Sequence, residues 1–575
     1  MDVDVNQALV EPSAPPRLAG VVAVVDRFFP FLWIGIYLLL PVSGWATVML
    51  ESWADQRRDL GALRALLDTG TAEAIASSGI GPAYIGAAAL VHEVTRLSPE
   101  DSLVALNRAS YVLAVAAGLA LVRVLVVRLV HAPPVVSLAS QLGFAALVFA
   151  TGTWYWSDVP WSHFFAMFLA VGVFAARFVP ARSTWIWTAI AGSLLALLAA
   201  TRSFEFIALV LAWGIAALGL AALRVSPRFV PRVRHMAVGA VAFLVTTAAV
   251  YVATGKSDLF FLYSGRLDTQ SGNVAPSEVV ETPTLSLGFV PVKLVQLFVE
   301  PCYYSVCSIS NYVGPVLGLG PQPTGDAGNY RLWRQPLAIQ LPSLMLLPIC
   351  VLAVGLLVVW AVRRRPVSRE RLLSLRAVVE MTIASGGIVL GYVASTLTGS
   401  PHLRYGFARD FLLPALLVGI VATSLGSALV WQLLARRPRV RVSPEIAFIG
   451  ATVLISALLV GWTAYARVDG IPRIEGRQLG SVTYSADCAE GACDISIAAT
   501  TTSGRPIDIP EPSVLIFGCG SDEARLTQYA SSPTTGVRLT TACANPRLLR
   551  AWPTVMGLPP GSFELRSVHV RNASA

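Results

Sequence analysis

Charged residues are scarce in this chain. They make up 13% of its 575 residues, whereas 55% are hydrophobic, and the mean hydropathy is +0.64. Soluble globular domains carry about 25% charged residues. This shortage excludes a soluble protein built around one apolar core, and it indicates a chain that crosses a membrane many times.

Lysine is almost missing, since it occurs only at positions 256 and 293. The other basic residues are arginine, as is typical of a genome with high GC content, and the formal net charge is +9. A cleavable signal peptide is not expected, because the opening MDVDVNQALVEPSAPPRLAG is polar and acidic at its start. We therefore expect residues 1–27 to form a cytoplasmic N-terminal tail.

Long apolar runs are abundant. A membrane-spanning helix needs about 17–25 such residues. Eleven runs qualify as spans: 28–49, 108–130, 135–155, 161–179, 184–201, 204–223, 236–253, 341–362, 377–397, 411–434 and 446–466. The arginine-bearing joints all fall on one side if the N-terminus is cytoplasmic. The sequence thus predicts a transmembrane domain over 28–466 in the cell membrane, with an extracytoplasmic C-terminus.

A further stretch, PAYIGAAALVHEVTRL at 82–97, complicates this topology. Counting it as a span would move the arginine clusters at 363–376 and 436–441 outside, so we predict a re-entrant or interfacial helix on the outer face. Two long outer loops result, 50–107 and 254–340. Long loops without spans are usually functional.

The C-terminal tail, residues 467–575, contains segments such as CDISIAAT and SVLIFGCG, in which apolar and polar residues alternate. This pattern predicts a small extracytoplasmic β-rich domain that acts as a scaffold or docks an acceptor. Six of the seven cysteines lie in predicted outer segments, which suggests disulfides whose pairing the spacing leaves open. The predicted fold class is an all-α polytopic membrane domain with this β-rich domain attached.

Polar residues interrupt the apolar pattern on the outer side. In the first outer loop Glu51, Asp55 and Asp59 are four residues apart, so they would share one face of a helix lying flat on the membrane. The joint GTWYWSDVPWSHFF places Asp158 and His163 among three tryptophans. The alternative for the three acidic residues is a solvated helix face. The alternative for the tryptophans is an aromatic belt at the membrane interface.

Two more outer segments carry arginine. Arg202 and Glu205 interrupt LLAATRSFEFIALVL, and either they pair with each other or Arg202 meets an anionic group such as a phosphate. The segment TGSPHLRYGFARDFLLP keeps two arginines outside against the positive-inside rule, which favours phosphate or lipid-headgroup binding over a solvated loop. Its polar residues are His402, Arg404, Tyr405, Arg409 and Asp410.

These features resemble the GT-C class of integral membrane glycosyltransferases, the polyprenyl-phosphate-sugar-dependent group that includes protein mannosyltransferases and bacterial cell-envelope enzymes. The likeness covers about residues 28–435. It rests on the acidic first loop, on GPAYIGAAAL and the following passage into the second span, on TRSFEF, which is similar to the family's T-R-P-E turn, and on LRYGFARDFLLP, which is similar to its R-Y-x-L-P segment. This sequence departs from the family's pattern in three ways. The acidic residues Asp55 and Asp59 are not adjacent, Ser203 replaces the proline of the T-R-P-E turn, and residues 406–409 are inserted in the R-Y-x-L-P segment.

The resemblance implies transfer of a sugar from a polyprenyl-phosphate donor to a lipid, glycan or protein hydroxyl on the outer face, usually with inversion. It makes Asp59 or Asp55 the general base, and it assigns Arg202, Arg404 and Arg409 to the departing phosphate. The residues implied to orient the substrates are Asp158, His163, Glu205, Tyr405 and His402. No cofactor or metal ligand is assigned, and a role for a divalent metal is left open.

Two other functions stay open. One is a transporter or flippase of lipid-linked sugars, although such proteins commonly show internal repeats and polar groups at the midplane, which this sequence does not display. The other is a non-catalytic assembly subunit of the cell envelope. The sequence identifies neither the sugar, nor the acceptor, nor the carrier lipid, and we expect no nucleic-acid partner.

Overall fold

The computed structural model of the chain describes two kinds of segment. The helical part covers residues 16–38, 54–70, 81–150, 157, 161–180, 185–223, 233–254, 346–363, 368–398, 412–436 and 443–469. Between residues 473 and 572 it describes nine β-strands.

Thirteen helices lie in the described part of the chain. They are α1 (Pro16–Leu38), α2 (Ala54–Thr69), α3 (Pro82–Thr95), α4 (Pro99–Val130), α5 (Pro134–Ala150), α6 (Ser162–Phe178), α7 (Trp185–Ala199), α8 (Ser203–Ala222), α9 (Val233–Thr254), α10 (Leu347–Arg363), α11 (Arg369–Thr398), α12 (Leu412–Ala435) and α13 (Pro444–Asp469). Each of the eleven predicted runs overlaps one of these helices. The two others, α2 and α3, belong to the segment 50–107, which the sequence predicts to be the first outer loop.

Seven of the described helices are long and apolar enough to cross a membrane: α1, α4, α8, α9, α11, α12 and α13. Four more, α5, α6, α7 and α10, are apolar but shorter. The chain is therefore a mostly helical, multi-pass membrane protein, while the number of eleven spans stays a prediction. The first candidate span covers Gly20–Tyr37, earlier than the predicted run 28–49, and its helix α1 continues through Pro30.

Contacts at both ends of α1, α4 and α6 fix the relative directions of these three helices. Near the end of α1 the ring centroid of Tyr37 lies 5.3 Å from that of Tyr111, and further back Asp26 pairs with Arg123, so α1 and α4 are antiparallel. We call the end of the bundle where α1 ends and α4 and α6 begin the upper end. At the lower end, where α4 and α6 finish, Arg128 donates to the backbone oxygen of Phe178.

The proline in α1 creates a polar contact inside the bundle. Pro30 has no N–H, so the carbonyl oxygen of Asp26, four residues earlier, loses its helical partner. Gln141 Nε2 donates to that carbonyl at 3.0 Å and to the Asp26 carboxylate at 2.8 Å, while Arg123 Nε binds the carboxylate at 2.7 Å. Gln141 of α5 thus satisfies the carbonyl that the proline frees, and Gln141 and Arg123 of α4 together bind the Asp26 carboxylate. These bonds hold α1 to both helices.

A second buried charge group joins α6 to α11 in the lower half of the bundle. Both carboxylate oxygens of Glu380, a fully buried side chain, accept bonds from Arg177, at 2.6 and 3.0 Å. Arg376 Nε binds the same carboxylate at 2.7 Å. Charges buried at membrane depth are costly unless they are paired, so this group fixes how α6 and α11 pack.

Close backbone approach determines where α7 meets α9. A Cβ atom added to Gly192 would lie 2.2 Å from the backbone oxygen of Gly239. No side chain fits in that space, and small residues of this kind let membrane helices pack backbone to backbone.

The strands follow α13. They are β1 (Arg473–Ile474), β2 (Arg477–Ala489), β3 (Ala492–Thr501), β4 (Pro506–Ile507), β5 (Ser513–Cys519), β6 (Ala524–Ala530), β7 (Val537–Thr540), β8 (Pro546–Pro553) and β9 (Glu564–Asn572). In a six-stranded sheet β2 pairs with antiparallel β3 and parallel β9, and a three-stranded sheet has the order β6-β5-β8. The register places Cys488 opposite Cys493. A separate outer domain and its disulfides stay predictions.

Candidate functional site

The most informative acidic residue is Asp59 on α2. Its side chain is 5% exposed, and its neighbours Leu60 and Leu63 are buried in the apolar core. Asp59 therefore does not lie on a solvated helix face, which was one of the two alternatives from the sequence. α2 packs against α3 and α4, and an ion pair between Arg64 and Glu100 ties it to the first turn of α4.

The start of α4 is well defined by its sequence. The Ser98 side chain accepts a hydrogen bond from the Asp101 N–H at 3.1 Å, and Pro99 occupies the first helical position. Both features are typical of stable helix N-termini. Because α4 begins there, its first turns extend past the end of α1 and present Asn107 and Arg108 at the upper end of the bundle.

Tyr84 on α3 is close enough to Asp59 for the charge of the carboxylate to act on it. Its side chain is fully buried, its hydroxyl donates to Asn107 Oδ1 at 3.3 Å, and its ring centroid is 6.1 Å from that of Phe165. Burial is the larger cause and the negative charge of Asp59 the smaller one, and together they raise the pKa of the Tyr84 phenol well above its usual range. α3 is not among the described helices that are long and apolar enough to span a membrane, and its position at the outer interface stays a prediction. The raised pKa keeps the Tyr84 phenol neutral.

The beginning of α3 contacts the turn between α7 and α8. The Ala83 N–H donates to the Ala200 backbone oxygen at 3.2 Å. A Cβ atom on Gly81 would lie 2.3 Å from that same oxygen and 2.4 Å from the Thr201 backbone, so only glycine fits. The helix that carries Tyr84 is thus fixed against the turn that carries Arg202.

Arg202 and Glu205 form an ion pair, and both side chains are largely buried. Arg202 is the N-cap residue of α8, and Glu205 lies in its first turn, where the helix dipole favours negative charge. The sequence left open whether Arg202 pairs with Glu205 or meets an anionic group, and the structure contains the pair with Glu205. An additional role of Arg202 in binding a phosphate stays a prediction.

The first turn of α6 contributes a buried imidazole. His163 is 8% exposed and lies two residues before Phe165, whose ring packs against Tyr84. Trp161 is also buried, and its ring stacks on Phe164 with centroids 6.2 Å apart. Trp161 therefore packs inside the protein and not in an aromatic belt facing lipid.

The structure thus describes four of the residues predicted from the sequence: Asp59, His163, Arg202 and Glu205. The contacts of α3 link the helices that carry them. The other predicted residues lie outside what the structure describes. They are Asp158, His402, Arg404, Tyr405 and Arg409, together with the side chain of Asp55. Their roles stay predictions.

Three residues at this end of the bundle received no role from the sequence: Tyr84, Asn107 and Arg108. The Arg108 guanidinium lies 5.7 Å from the ring centroid of Tyr37, whose hydroxyl binds Ser157. The sequence does carry a signal for two of them, because Asn107 and Arg108 directly precede the long apolar run of α4, and polar groups at membrane depth are rarely neutral in function. Among the described residues, no group of three or more His, Cys, Asp or Glu side chains could hold a metal ion.

One prediction tests the contact between α3 and the turn before α8. Gly81→Ala should destabilise the protein by about 1–3 kcal/mol, because the added methyl group overlaps backbone atoms that cannot rotate away. The backbone angles of Gly81, φ −62° and ψ 129°, suit alanine, so the effect is steric. Thermal unfolding in detergent measures the loss, and hydrogen exchange at the Ala83 amide should accelerate.

The matched control is Gly61→Ala on α2, where an added Cβ meets nothing within 4 Å. It should leave the exchange at the Ala83 amide unchanged, and it should not lower the unfolding temperature, since alanine is a better helix former than glycine. Equal unfolding temperatures for Gly81→Ala and the unmodified protein would contradict the contact.

The fold and the described residues define a multi-pass helical membrane protein with a buried polar site at one end of its bundle. No protein-family model and no curated protein matches the sequence. Among solved structures, the crystal structure of the oligosaccharyltransferase of Archaeoglobus fulgidus in its apo form matches with a TM-score of 0.41 and 13% identity. The match covers 78% of this chain and 55% of the archaeal chain, so the present chain spans about half of that protein's length.

Proposed function

We propose that the protein is a membrane glycosyltransferase that moves a sugar from a polyprenyl-phosphate donor to a hydroxyl group of a lipid, glycan or protein on the outer face of the cell membrane. The observation that carries this proposal is the burial of the Asp59 carboxylate at the upper end of the bundle. α2 packs against α3, and α3 contacts both the turn before Arg202 and, through the Tyr84–Phe165 ring contact, the helix of His163.

A buried carboxylate in that place is suited to general-base catalysis. Asp59 accepts the proton of the acceptor hydroxyl while the acceptor oxygen forms a bond to the anomeric carbon of the sugar. The bond from that carbon to the phosphate oxygen breaks, and the leaving phosphate keeps the electron pair. Asp55 is the alternative base, since the resemblance does not choose between the two carboxylates.

The negative charge on the leaving phosphate needs cations. Arg202 uses Nε to bind Glu205, and guanidinium groups carry several N–H donors in a planar fork that matches phosphate oxygens. Arg404 and Arg409 belong to the segment between α11 and α12. In this proposal they complete the phosphate site, and Asp158, His163, Glu205, Tyr405 and His402 orient the sugar and the acceptor.

Sidedness follows from the distribution of arginine. Arg128 and Arg363 lie at the lower ends of α4 and α10, and the short joints 224–234, 364–371 and 436–441 add more arginines in the sequence. By the positive-inside rule the lower end is cytoplasmic and the upper end is outside, with the N-terminus in the cytoplasm. Nucleotide sugars of the cytoplasm do not reach that side, which favours a lipid-linked donor.

The test is transfer by the purified protein in liposomes. The protein is incubated with a panel of radiolabelled polyprenyl-phosphate sugars and membrane-derived acceptors, and label is followed into product. We expect one sugar to be transferred. Movement of labelled lipid between leaflets without any product would identify a flippase instead, and neither transfer nor movement across the whole panel would favour an assembly subunit.

A further inference from the structure

We propose that Cys488 and Cys493 form a disulfide that ties β2 to β3 at the closed end of their hairpin. The sequence predicted disulfides among the cysteines of the outer segments, but their spacing left the pairing open. This inference depends on the outer location of the C-terminal tail and is independent of sugar transfer.

The register of the hairpin carries the inference. β2 and β3 are antiparallel, and Cys488 lies directly opposite Cys493, one pair before the end of the hairpin. Residues opposed in this way have Cα atoms about 4.5–5.5 Å apart and belong to the same face of the sheet. A disulfide spans Cα separations of about 4.4–6.8 Å. The backbone therefore holds the two positions at the spacing that the bond requires.

The neighbouring row of residues supports this register. Asp487 lies opposite Asp494, while β9 places Arg571 beside Asp487 and β7 places Arg538 opposite Asp494. Each aspartate thus has an arginine at the adjoining position of the next strand, and opposite charges across strands are favourable where like charges alone are not. A shift of the register by one residue would remove this match.

The two cysteines belong to the apolar face of the six-stranded sheet. Positions two apart along a strand share one face. On the face of the cysteines these positions carry Val482, Tyr484 and Ala486 on β2 and Ile495, Ile497 and Ala499 on β3. A slip by one residue would exchange this face for the polar one, so the pattern also fixes the pairing. The bond therefore joins the two central strands on their apolar face.

The bond forms by oxidation of the two thiols. A bond joins the two sulfur atoms, and two protons and two electrons leave. The electrons reduce the disulfide of a thiol–disulfide oxidoreductase in the outer compartment to a dithiol. Disulfides persist in such a compartment and are rare in the cytosol, so the proposed bond requires the tail to lie outside.

The experiment reads the bond directly in the full-length protein. Cells that express it are lysed in denaturant with excess N-ethylmaleimide, which blocks every free thiol. A protease that cleaves before aspartate then releases residues 487–493, DCAEGAC, which contain both cysteines and no other. We expect this peptide to carry no maleimide, to be two hydrogen atoms lighter than its reduced form, and to accept two maleimides only after reduction.

Two outcomes would overturn the inference. One is a peptide 487–493 that carries maleimide before reduction, because its thiols would then be free in the cell. The other is a peptide 487–493 that is linked to a different cysteine-containing peptide.

Two variants sharpen the measurement. Cys493→Ser removes the proposed partner, and Cys488 should then react with maleimide before reduction. Cys519→Ser is the matched control, since Cys519 ends β5 in the other sheet, and it should leave the peptide 487–493 oxidised. Maleimide on that peptide in Cys519→Ser would show a bond to Cys519 and would contradict the pairing of Cys488 with Cys493.

Discussion

Asp59→Asn should lower the rate of sugar transfer by about 10²–10⁴-fold, the usual contribution of a general base. The amide has nearly the same shape as the carboxylate but cannot accept the proton of the acceptor hydroxyl. Asp59 is 5% exposed, and an uncharged amide of the same size should fit at this buried position without unfolding the protein. The initial rate with saturating donor, normalised to folded protein, is the measurement.

Asp68→Asn is the matched control, because Asp68 lies on the same helix but is exposed. It should retain the full rate. Asp55→Asn decides between the two alternative bases: a large loss there, with Asp59→Asn active, would move the role of base to Asp55. Retention of the rate by both variants would refute a carboxylate base in the first loop.

Glu380→Leu should destabilise the protein by about 3–5 kcal/mol, the range found when one partner of a buried ion pair is removed. Glu380 is fully buried and accepts bonds from Arg177 and Arg376 at 2.6–3.0 Å. Without the carboxylate two guanidinium groups remain close together in the bundle with no counter-charge. The unfolding midpoint of the purified protein in detergent should fall strongly, and its yield should fall as well.

Two variants make this prediction specific. Glu370→Leu, at an exposed position of the same helix, should leave the midpoint nearly unchanged. The triple variant in which Arg177 and Arg376 are also replaced by Met should recover much of the loss, because apolar residues can substitute for a buried ion pair as a unit. A stable Glu380→Leu protein would show that the charge group does not hold α6 to α11.

The helical fold was largely accessible from the sequence, because the length of an apolar run is set by the thickness of the membrane. α4, α8 and α12 begin within a few residues of the predicted runs or extend them. α1 lies closer to the N-terminus than the predicted run, and it continues through Pro30 because Gln141 satisfies the carbonyl that the proline leaves open. Such compensation from a distant helix leaves no local signal in the sequence.

The site was only partly accessible. Breaks in apolar runs pointed to His163, Arg202 and Glu205, because charged and polar groups there stand out against their surroundings. The periodicity of α2 predicted a helix but placed Asp59 on its polar face, whereas packing against α3 and α4 buries it. The hydrogen bond from Tyr84 to Asn107 and the contact of Gly81 with the Ala200 carbonyl depend on tertiary packing, so periodicity alone could not reveal them.

The most direct test of the account is the side of the membrane on which Asp59 lies. In a background with the seven native cysteines replaced by serine, single cysteines are introduced at Asp68 on α2 and at Arg363 at the end of α10, both exposed positions. Intact cells are treated with a membrane-impermeant maleimide. We predict labelling of Asp68→Cys in intact cells and of Arg363→Cys only after permeabilisation. The reverse pattern would place the Asp59 site in the cytoplasm and contradict transfer on the outer face.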